Sequence, residues 1–208
     1  MNTTVSIIED NRTTRESLVR LLEGIPTFRV LDAYANAEAA LQSLPVNPPD
    51  VVLVDLHLPK LSGIECVCQL KKKAPGIKVL ILTRFSDSEN IFQALRAGAD
   101  GYVLKHKPSD EILKGIIDLV ENRPSMSNEV AQRMLDYFHE LGKRRAEIQK
   151  LSPRERDVLE HLAKGWGDKD IAQDLGISVQ TVNDYLKRIY AKLHVHSRTA
   201  AVAKYLKS

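Results

Sequence analysis

Val51-Val52-Leu53-Val54-Asp55 joins four consecutive apolar residues to a carboxylate. A segment that is apolar at every position is typical of a strand buried on both faces, as in the middle of a parallel sheet. Lys78 to Leu82 has the same character, and β-branched runs at 5–8, 28–31 and 101–104 predict three more strands. A helical pattern follows each strand. Five strands alternating with five helices predict an α/β fold with a doubly wound, five-stranded parallel sheet.

The helices between these strands begin and end at capping residues, Gly and Pro. We expect Gly98 to end the fourth helix and Ser109 to be the N-cap of the fifth. The five helices are predicted at residues 13–23, 37–44, 63–73, 88–97 and 109–121.

The rest of the chain has helical patterns only. A helix predicted from Asn128 to Leu141 is followed by a basic link, Gly142 to Lys150, and by four short helical segments from Leu151 onward. This organisation predicts three parts: a first domain at residues 1–124, a linker helix at 125–148 and a small all-α domain at 149–208.

Composition narrows the class of protein. The chain has 208 residues, 43% apolar and 27% charged, which is enough for two folded domains and excludes global disorder. The longest apolar runs are too short to cross a bilayer, and the first residues lack the apolar segment of a secretion signal. Two neighbouring cysteines, Cys66 and Cys68, provide neither a disulfide framework nor enough ligands for zinc. We therefore expect a reduced, cytoplasmic protein that does not act in a membrane.

Charge is spread unevenly along the chain. Residues 1–124 carry 15 basic and 16 acidic residues, whereas residues 125–208 carry 15 and 11. A polyanionic partner would therefore meet the second half of the chain.

Polar side chains follow four of the predicted strands, at the point where each strand ends. Glu9 and Asp10 follow the first strand, Asp55 the third, Thr83 the fourth and Lys105 the fifth. Ligands bind at the carboxyl ends of the strands of a doubly wound sheet, so these five side chains should converge. Clustered carboxylates suit Mg²⁺, and a carboxylate beside Mg²⁺ can attack a phosphoryl group whose oxygens a Lys and a Thr stabilise. The sequence therefore predicts phosphoryl chemistry at this edge.

The same residues resemble the receiver domain of response regulators, in particular the NarL/FixJ subfamily. The resemblance implies that Asp55 is the phosphoacceptor and that a partner histidine kinase phosphorylates it. It also implies that the chain is not an enzyme beyond assisting its own phosphorylation and dephosphorylation through Thr83 and Lys105. The motifs that carry it are Glu9-Asp10, Asp55 with Leu58-Pro59 and Ser62-Gly63, Leu82-Thr83, and Gly98-Ala99-Asp100-Gly101-Tyr102-Val103-Leu104-Lys105.

A metal site and a switch follow from the resemblance. Mg²⁺ would be held by Glu9, Asp10, Asp55 and the backbone carbonyl of His57. Thr83 and Tyr102 would form the switch pair, which rotates inward when Asp55 is phosphorylated. Glu9 stands where Asp is commoner, which lengthens the arm to the metal and keeps the charge.

Three further residues near this site are expected to affect how long the phosphoryl group persists. Arg84, directly after Thr83, is expected either to limit access to Asp55 or to pair with it. His57 and Phe85 occupy positions that tune dephosphorylation in the family.

Helix signals in the C-terminal part predict a DNA-binding motif. Ser152, Pro153 and Glu155 form the pattern of a capping box at the start of a helix. Further on, two short helices are joined by Gly176-Ile177-Ser178, and the second has a polar face opposite an apolar stripe. This arrangement is typical of a helix-turn-helix, although plain helical bundles contain similar pairs.

The full C-terminal string resembles the LuxR-type DNA-binding domain. It carries Leu151-Ser152-Pro153-Arg154-Glu155-Arg156-Asp157-Val158-Leu159, Asp170-Ile171-Ala172, Thr181-Val182 and Ile189-Tyr190-Ala191-Lys192-Leu193. Together the two resemblances imply a transcriptional response regulator that binds double-stranded operator DNA and forms a homodimer when phosphorylated. The last helix, near 199–206, is then either the dimer contact or a terminal helix that closes the small core. The residues implied in DNA binding are Gln180, Asn183, Asp184 and Lys187 at the bases, and Thr181, Arg188 and Lys192 near phosphates.

Two other functions remain open at this point. The family usually has Lys where this chain has Asn183, and Asp184 adds a negative charge, so the C-terminal domain could bind protein instead of DNA. Asp184 could equally specify a cytosine by accepting a hydrogen bond from its amine. The other alternative is an aspartyl-phosphate phosphatase, which also has a nucleophilic Asp at a strand end. Such an enzyme requires a second carboxylate two residues later, where this chain has His57.

Overall fold

The computed structural model describes residues 2–84 and 86–206, and its contacts divide the chain into two compact units, Met1–Leu135 and Asp136–Ser208. The strands of the first unit are β1 (Thr3–Ile8), β2 (Phe28–Tyr34), β3 (Val51–Val54), β4 (Lys78–Thr83), β5 (Gly101–Leu104) and β6 (Ser125–Met126). The helices between them are α1 (Arg12–Glu23), α2 (Ala37–Ser43), α3 (Gly63–Lys73), α4 (Ser88–Arg96) and α5 (Ser109–Val120).

All strands of the sheet run parallel, in the order β2-β1-β3-β4-β5-β6. The α/β class is confirmed, but the predicted count of five strands is wrong, because β6 pairs with β5 as a sixth strand. Two glycines make room for it. A Cβ on Gly101 would lie 2.7 Å from the Ser125 carbonyl oxygen, and a Cβ on Gly115 would lie 3.0 Å from the Ser125 hydroxyl.

Alternation along the strands divides the core of this unit between the two faces of the sheet. Val52, Val54 and Ile81 lie in one buried cluster with residues of α2, α3 and α4. Leu53 and Leu80 lie in the other cluster, with residues of α1 and α5. Both faces of the central strands are thus covered, which explains why their sequence is apolar at every position.

The expected stop at Gly98 is confirmed, because Gly98 follows the C-cap of α4 with a positive φ of 107°, whereas the expected N-cap of α5 is wrong. Ser62 and Glu65 form a capping box at α3, in which the Ser62 hydroxyl accepts from the Glu65 amide. At α5 the N-cap is Pro108, not Ser109, and no side chain caps this helix. The Pro108 carbonyl accepts from the Glu111 amide at 3.0 Å, so Ser109 is already the first helical residue.

Helix α6 (Asn128–Gln149) is longer than the sequence indicates. The predicted end near Leu141 is wrong, because the helix continues through Gly142. A glycine costs a helix only about 1 kcal/mol, and the Lys, Arg, Ala and Glu residues that follow favour helix. The division between the two units falls within α6, at Leu135.

The second unit contains α7 (Pro153–Ala163), α8 (Asp168–Leu175), α9 (Val179–Leu193) and α10 (Arg198–Leu206). Its buried core is made of apolar residues from all four helices, among them Val158, Ile171, Ile189 and Ala201. The expected capping box of Ser152 and Glu155 is present at the start of α7. Within the described residues, no helix is long and apolar enough to cross a membrane.

Candidate functional site

Backbone hydrogen bonds at the carboxyl ends of the strands bring the predicted polar residues together. The Asp55 amide donates to the Ile8 carbonyl at 2.9 Å, so Asp55 continues the pairing of β3 with β1. The Lys105 amide donates to the Thr83 carbonyl at 2.8 Å and continues the pairing of β5 with β4. Consequently the side chains that follow β1, β3, β4 and β5 meet at one edge of the sheet.

Lys105 links two of the acids. Its ammonium lies 2.5 Å from Glu9 Oε2 and 2.7 Å from Asp55 Oδ2. All three side chains are largely buried, with exposed fractions of 11% for Lys105, 3% for Glu9 and 8% for Asp55. Burial raises the pKa of the Glu9 carboxyl, and the nearby Asp55 charge adds to this, whereas Lys105 acts to lower it. One cation thus faces an excess of negative charge.

The three carboxylates predicted to bind metal lie close together. Glu9, Asp10 and Asp55 each offer an oxygen within 4.8 Å of the others, and Asp10 is the exposed member. Among the described residues, no group donates a hydrogen bond to the buried Asp55 Oδ1. Hard carboxylate oxygens, one of them buried without a partner, are the donor set that Mg²⁺ prefers, so these residues fit the ion.

The other predicted residues of this site take different positions. His57 is exposed on the loop after β3, and Arg84 is exposed directly after β4. Thr83 and Tyr102 are fully buried, so the Tyr102 ring already occupies an inward position. Burial, followed by the charges of nearby acids, raises the pKa of the Tyr102 hydroxyl, which therefore stays protonated. Phe85 lies outside the described residues.

The close contact that Gly63 makes at this site is not among the predictions from the sequence. A Cβ on this residue would lie 2.1 Å from the Asp55 carbonyl oxygen and 2.6 Å from the Leu56 Cα. The Gly63 amide also donates to the Leu56 carbonyl at 2.9 Å. The start of α3 therefore rests directly on the backbone of Asp55. The Ser62-Gly63 pair after a strand-end carboxylate was the available signal.

The turn between α8 and α9 has the geometry predicted for a helix-turn-helix. Gly176 ends α8 in the left-handed conformation with φ of 64°, which glycine adopts without strain. Ser178 is the N-cap of α9, and its hydroxyl accepts from the Thr181 amide at 3.0 Å. The apolar stripe of α9, including Val182 and Leu186, is buried in the core of the unit.

Residues on the polar side of α9 differ in their exposure and in their contacts within the protein. The side chain of Lys187 is 77% exposed, and its ammonium lies 3.7 Å from Asp184 Oδ1. The Asp184 carboxylate also accepts from the Gln180 amide group at 3.4 Å. The Arg188 guanidinium lies 5.9 Å from the centre of the Tyr185 ring. Gln180 is exposed like Arg188, whereas Thr181 and Asn183 are half-buried.

Lys192, predicted near phosphates, already has partners within the protein. Its ammonium contacts Glu155 Oε2 at 2.7 Å and the Lys150 carbonyl at 3.2 Å. Glu155 is buried and also accepts from the Ser152 amide at 2.7 Å. The ion pair therefore joins the last turns of α9 to the start of α7, and Lys192 has a structural role.

Comparison with known families covers both units. Residues 5–117 match the response regulator receiver domain, and residues 149–205 match the bacterial regulatory proteins of the luxR family. The chain belongs to the response regulators of the LuxR family. This response regulator is thus a DNA-binding transcription regulator with a receiver domain that takes a phosphoryl signal, and its family does not consist of classical enzymes.

Relatives match the response regulator along most of its length. It is 32% identical to the transcriptional regulatory protein YdfI of Bacillus subtilis, over 95% of this chain and 92% of YdfI. It is 30% identical to the DNA-binding transcriptional activator DevR/DosR of Mycobacterium tuberculosis, over 95% of this chain and 91% of that relative.

Solved structures of similar fold also span both units. The response regulator ChrA of a heme-sensing two-component system aligns with a TM-score of 0.58 at 29% identity, covering 98% of this chain and 96% of ChrA. RcsB of Salmonella typhimurium aligns with a TM-score of 0.65 over 99% of both chains. Its identity to this chain is 24%, so the second similarity concerns the fold alone.

Proposed function

We propose that Asp55 accepts a phosphoryl group from the phosphohistidine of a partner histidine kinase. The observation that carries this proposal is the contact of one buried ammonium, Lys105, with both Asp55 and Glu9. In the transfer, an Asp55 carboxylate oxygen bonds to phosphorus as the bond from phosphorus to the kinase histidine breaks. The Lys105 ammonium and the Thr83 hydroxyl then stabilise the phosphoryl oxygens, as charge stabilisation in a buried site requires.

Mg²⁺ would be held by the carboxylates of Glu9, Asp10 and Asp55 and by the His57 backbone carbonyl. When bound, it supplies positive charge that offsets the negative charge of the acids and of the phosphoryl oxygens. The cluster of carboxylate oxygens and the unpartnered Asp55 Oδ1 support this assignment.

The signal then reaches the second unit. We assign residues 1–124 as receiver, residues 125–148 as linker helix and residues 149–208 as DNA-binding domain. Thr83 and Tyr102, both fully buried, form the switch pair that responds to phosphorylation. Phosphorylation favours a homodimer on paired half-sites of an operator. Because the target is bacterial DNA, the protein works in the cytoplasm.

Helix α9 enters the major groove of the operator. The short turn before it and its exposed polar side support this, because a recognition helix needs a rigid base and free polar side chains. Gln180, Asn183, Asp184 and Lys187 face bases, whereas Thr181 and Arg188 lie near phosphates. Lys192 contributes charge near the phosphates while it remains bonded to Glu155.

The phosphoacceptor is tested by labelling the full-length protein with acetyl phosphate and Mg²⁺. We expect Asp55→Ala to abolish labelling, because it removes the carboxylate that combines the Lys105 contact with the position at the end of β3. Asp110→Ala, which removes an exposed carboxylate of α5, should label like wild type. Labelling that persists in Asp55→Ala would overturn the assignment.

DNA binding is tested by capture of fragmented genomic DNA with the full-length protein, with and without beryllofluoride and Mg²⁺. Enriched fragments that depend on the phosphoryl mimic are the expected result, and they provide the operator. Absence of enrichment in both states, with beryllofluoride still bound, would favour a protein partner for the second unit instead.

A further inference from the structure

The loop after β1 directs the side chains of both Glu9 and Asp10 to the same side, which a continued strand would not do. Consecutive residues of a strand point to opposite faces of the sheet. Glu9 and Asp10 are consecutive, yet both contribute an oxygen to the same cluster with Asp55. The backbone must therefore leave strand geometry directly after β1, and it must do so in one defined way for both carboxylates to converge.

One side chain contacts both peptide groups that set this turn. Nη1 of Arg15, in the first turn of α1, donates to the Glu9 carbonyl at 2.7 Å and to the Asp10 carbonyl at 3.2 Å. Arg15 is half-buried, and its own amide donates to the Asn11 carbonyl at 2.9 Å. The backbone of Arg15 is thus held in the first turn of α1, and its guanidinium is bonded to the backbone of the two acidic residues.

We propose that Arg15 is a positioning residue for the metal site, which holds the backbone of Glu9 and Asp10 so that their carboxylates converge with that of Asp55. The proposal rests on the proposed function, because it concerns the same acidic cluster. Arg15 acts through backbone carbonyls and does not touch the phosphoryl group. Residues that orient metal ligands typically change metal affinity by about 10- to 100-fold when they are removed.

The positive charge of Arg15 and its hydrogen bonds to the loop have opposite effects on metal affinity, so an experiment can separate them. A guanidinium close to a cation site repels the cation, so removing its charge should tighten metal binding if electrostatics alone mattered. Removing the hydrogen bonds to Glu9 and Asp10 should instead weaken it. The sign of the change in affinity therefore separates a positioning role from a purely electrostatic one.

Arg12 offers a matched control on the same helix. It also carries a positive charge, two residues after Asp10 in the chain, but its side chain is 83% exposed and it pairs with Glu16 at 2.7 Å. Its substitution removes the same charge and leaves the Glu9 and Asp10 carbonyls in place. Arg15→Lys is the complementary variant, because it keeps the charge and loses the planar guanidinium.

The experiment measures binding of Mn²⁺ to the full-length protein by the electron paramagnetic resonance signal of the free ion, with Mg²⁺ as competitor. We expect Arg15→Gln to weaken metal binding by about tenfold or more, Arg15→Lys to weaken it at unchanged net charge, and Arg12→Gln to bind at least as tightly as wild type. If Arg15→Gln does not fold, Arg15→Lys carries the test. Unchanged or tighter binding in the Arg15 variants would overturn the proposal.

Phosphorylation provides a second readout that a general loss of structure would not reproduce. In labelling with acetyl phosphate, the Mg²⁺ concentration for half-maximal rate should rise in Arg15→Gln, whereas the rate at saturating Mg²⁺ should stay close to wild type. A lower saturating rate with an unchanged Mg²⁺ requirement would contradict a positioning role. Failure of wild type itself to bind the ion would instead remove the proposed function, so the two failures are distinguishable.

Discussion

The ammonium of Lys105 lies 2.7 Å from Oδ2 of Asp55, a residue 50 positions earlier in the chain. Both side chains are largely buried, and the same ammonium contacts Glu9. A buried carboxylate that loses the cation beside it keeps its desolvation cost, so this contact affects stability as well as chemistry. It also places a positive charge where the oxygens of a transferred phosphoryl group would be.

Substitution of Lys105 should therefore slow phosphorylation. We expect Lys105→Gln to reduce the rate of labelling by acetyl phosphate and Mg²⁺ by about 100-fold, since it removes one charged donor from the site. Lys107→Gln is the control, because Lys107 pairs with Glu129 at 3.1 Å and not with the acids. A wild-type rate in Lys105→Gln would remove Lys105 from the reaction.

Gly63 is expected to be intolerant of even one added carbon. In Gly63→Ala the new Cβ would meet backbone atoms of Asp55 and Leu56, neither of which can move without displacing the phosphoacceptor. We expect a loss of about 1–3 kcal/mol in the free energy of unfolding of the first unit, together with slower labelling of Asp55. Denaturant unfolding followed by circular dichroism measures the first effect.

Gly76→Ala provides the comparison for this prediction. Among the described residues other than its two chain neighbours, no heavy atom lies within 4 Å of a Cβ built at Gly76, so this substitution should not lower stability. The single tryptophan of the chain, Trp166, lies in the second unit, and its fluorescence should show that unit unchanged in both variants. Equal stabilities of the two variants would contradict the close approach at Gly63.

Particular residues show how far the sequence predicts this structure. Apolar runs such as Val51 to Val54 predict the central strands, because burial on both faces leaves a clear pattern. The strand-end residues Asp55 and Lys105 are predictable for the same reason, since parallel strands direct their carboxyl ends to one edge. By contrast, β6 has only two residues and no pattern of its own, and its signal lies in Gly101 and Gly115 of its neighbours.

Contacts to the backbone are the part that could not be predicted. In the sequence, Arg15 is one of several charged residues of α1, and its spacing does not indicate that it contacts the Glu9 carbonyl. The sequence likewise does not indicate that Lys192 pairs with Glu155, because the spacing of Glu155 from Ser152 is already explained by the capping box. Both cases depend on how two elements pack, which residue type and periodicity alone do not determine.

The ion pair between the buried Glu155 carboxylate and the partly exposed Lys192 ammonium predicts a pH dependence of stability. Burial raises the pKa of the Glu155 carboxyl, but its bonds to Lys192 and Ser152 more than offset this, and the pKa lies below its ordinary value of 4.5. A carboxyl with a lowered pKa in the folded state stabilises it above the ordinary value, and this contribution is lost as the pH falls through the folded-state pKa.

Glu155→Gln isolates the charge, because glutamine also serves in a capping box. We expect the variant to be about 1–2 kcal/mol less stable than wild type at pH 7. This is less than the full effect of a hydrogen bond to a charged group, because the Lys192 side chain is 39% exposed and water screens its charge. The difference should shrink as the pH falls below 4.5, where the wild-type carboxyl becomes protonated. Denaturant unfolding followed by Trp166 fluorescence measures both. A difference that is the same at pH 7 and pH 3 would exclude the ion pair as its cause.

Lys187 is expected to contribute directly to DNA binding. Its side chain is 77% exposed on the polar side of α9, and its ammonium lies near Asp184, which holds it without burying it. We expect Lys187→Ala to weaken binding to a captured operator fragment by about 1–3 kcal/mol if it contacts a base edge, with a loss that depends on the operator sequence. If it contacts a phosphate, the loss should instead be similar for all sequences, and the slope of affinity against salt should fall by about one.

Lys164→Ala, which removes an exposed charge at the end of α7, is the control. Fluorescence anisotropy with labelled operator at several salt concentrations measures these effects, and an affinity and salt slope unchanged by Lys187→Ala would mean that α9 meets DNA by another face.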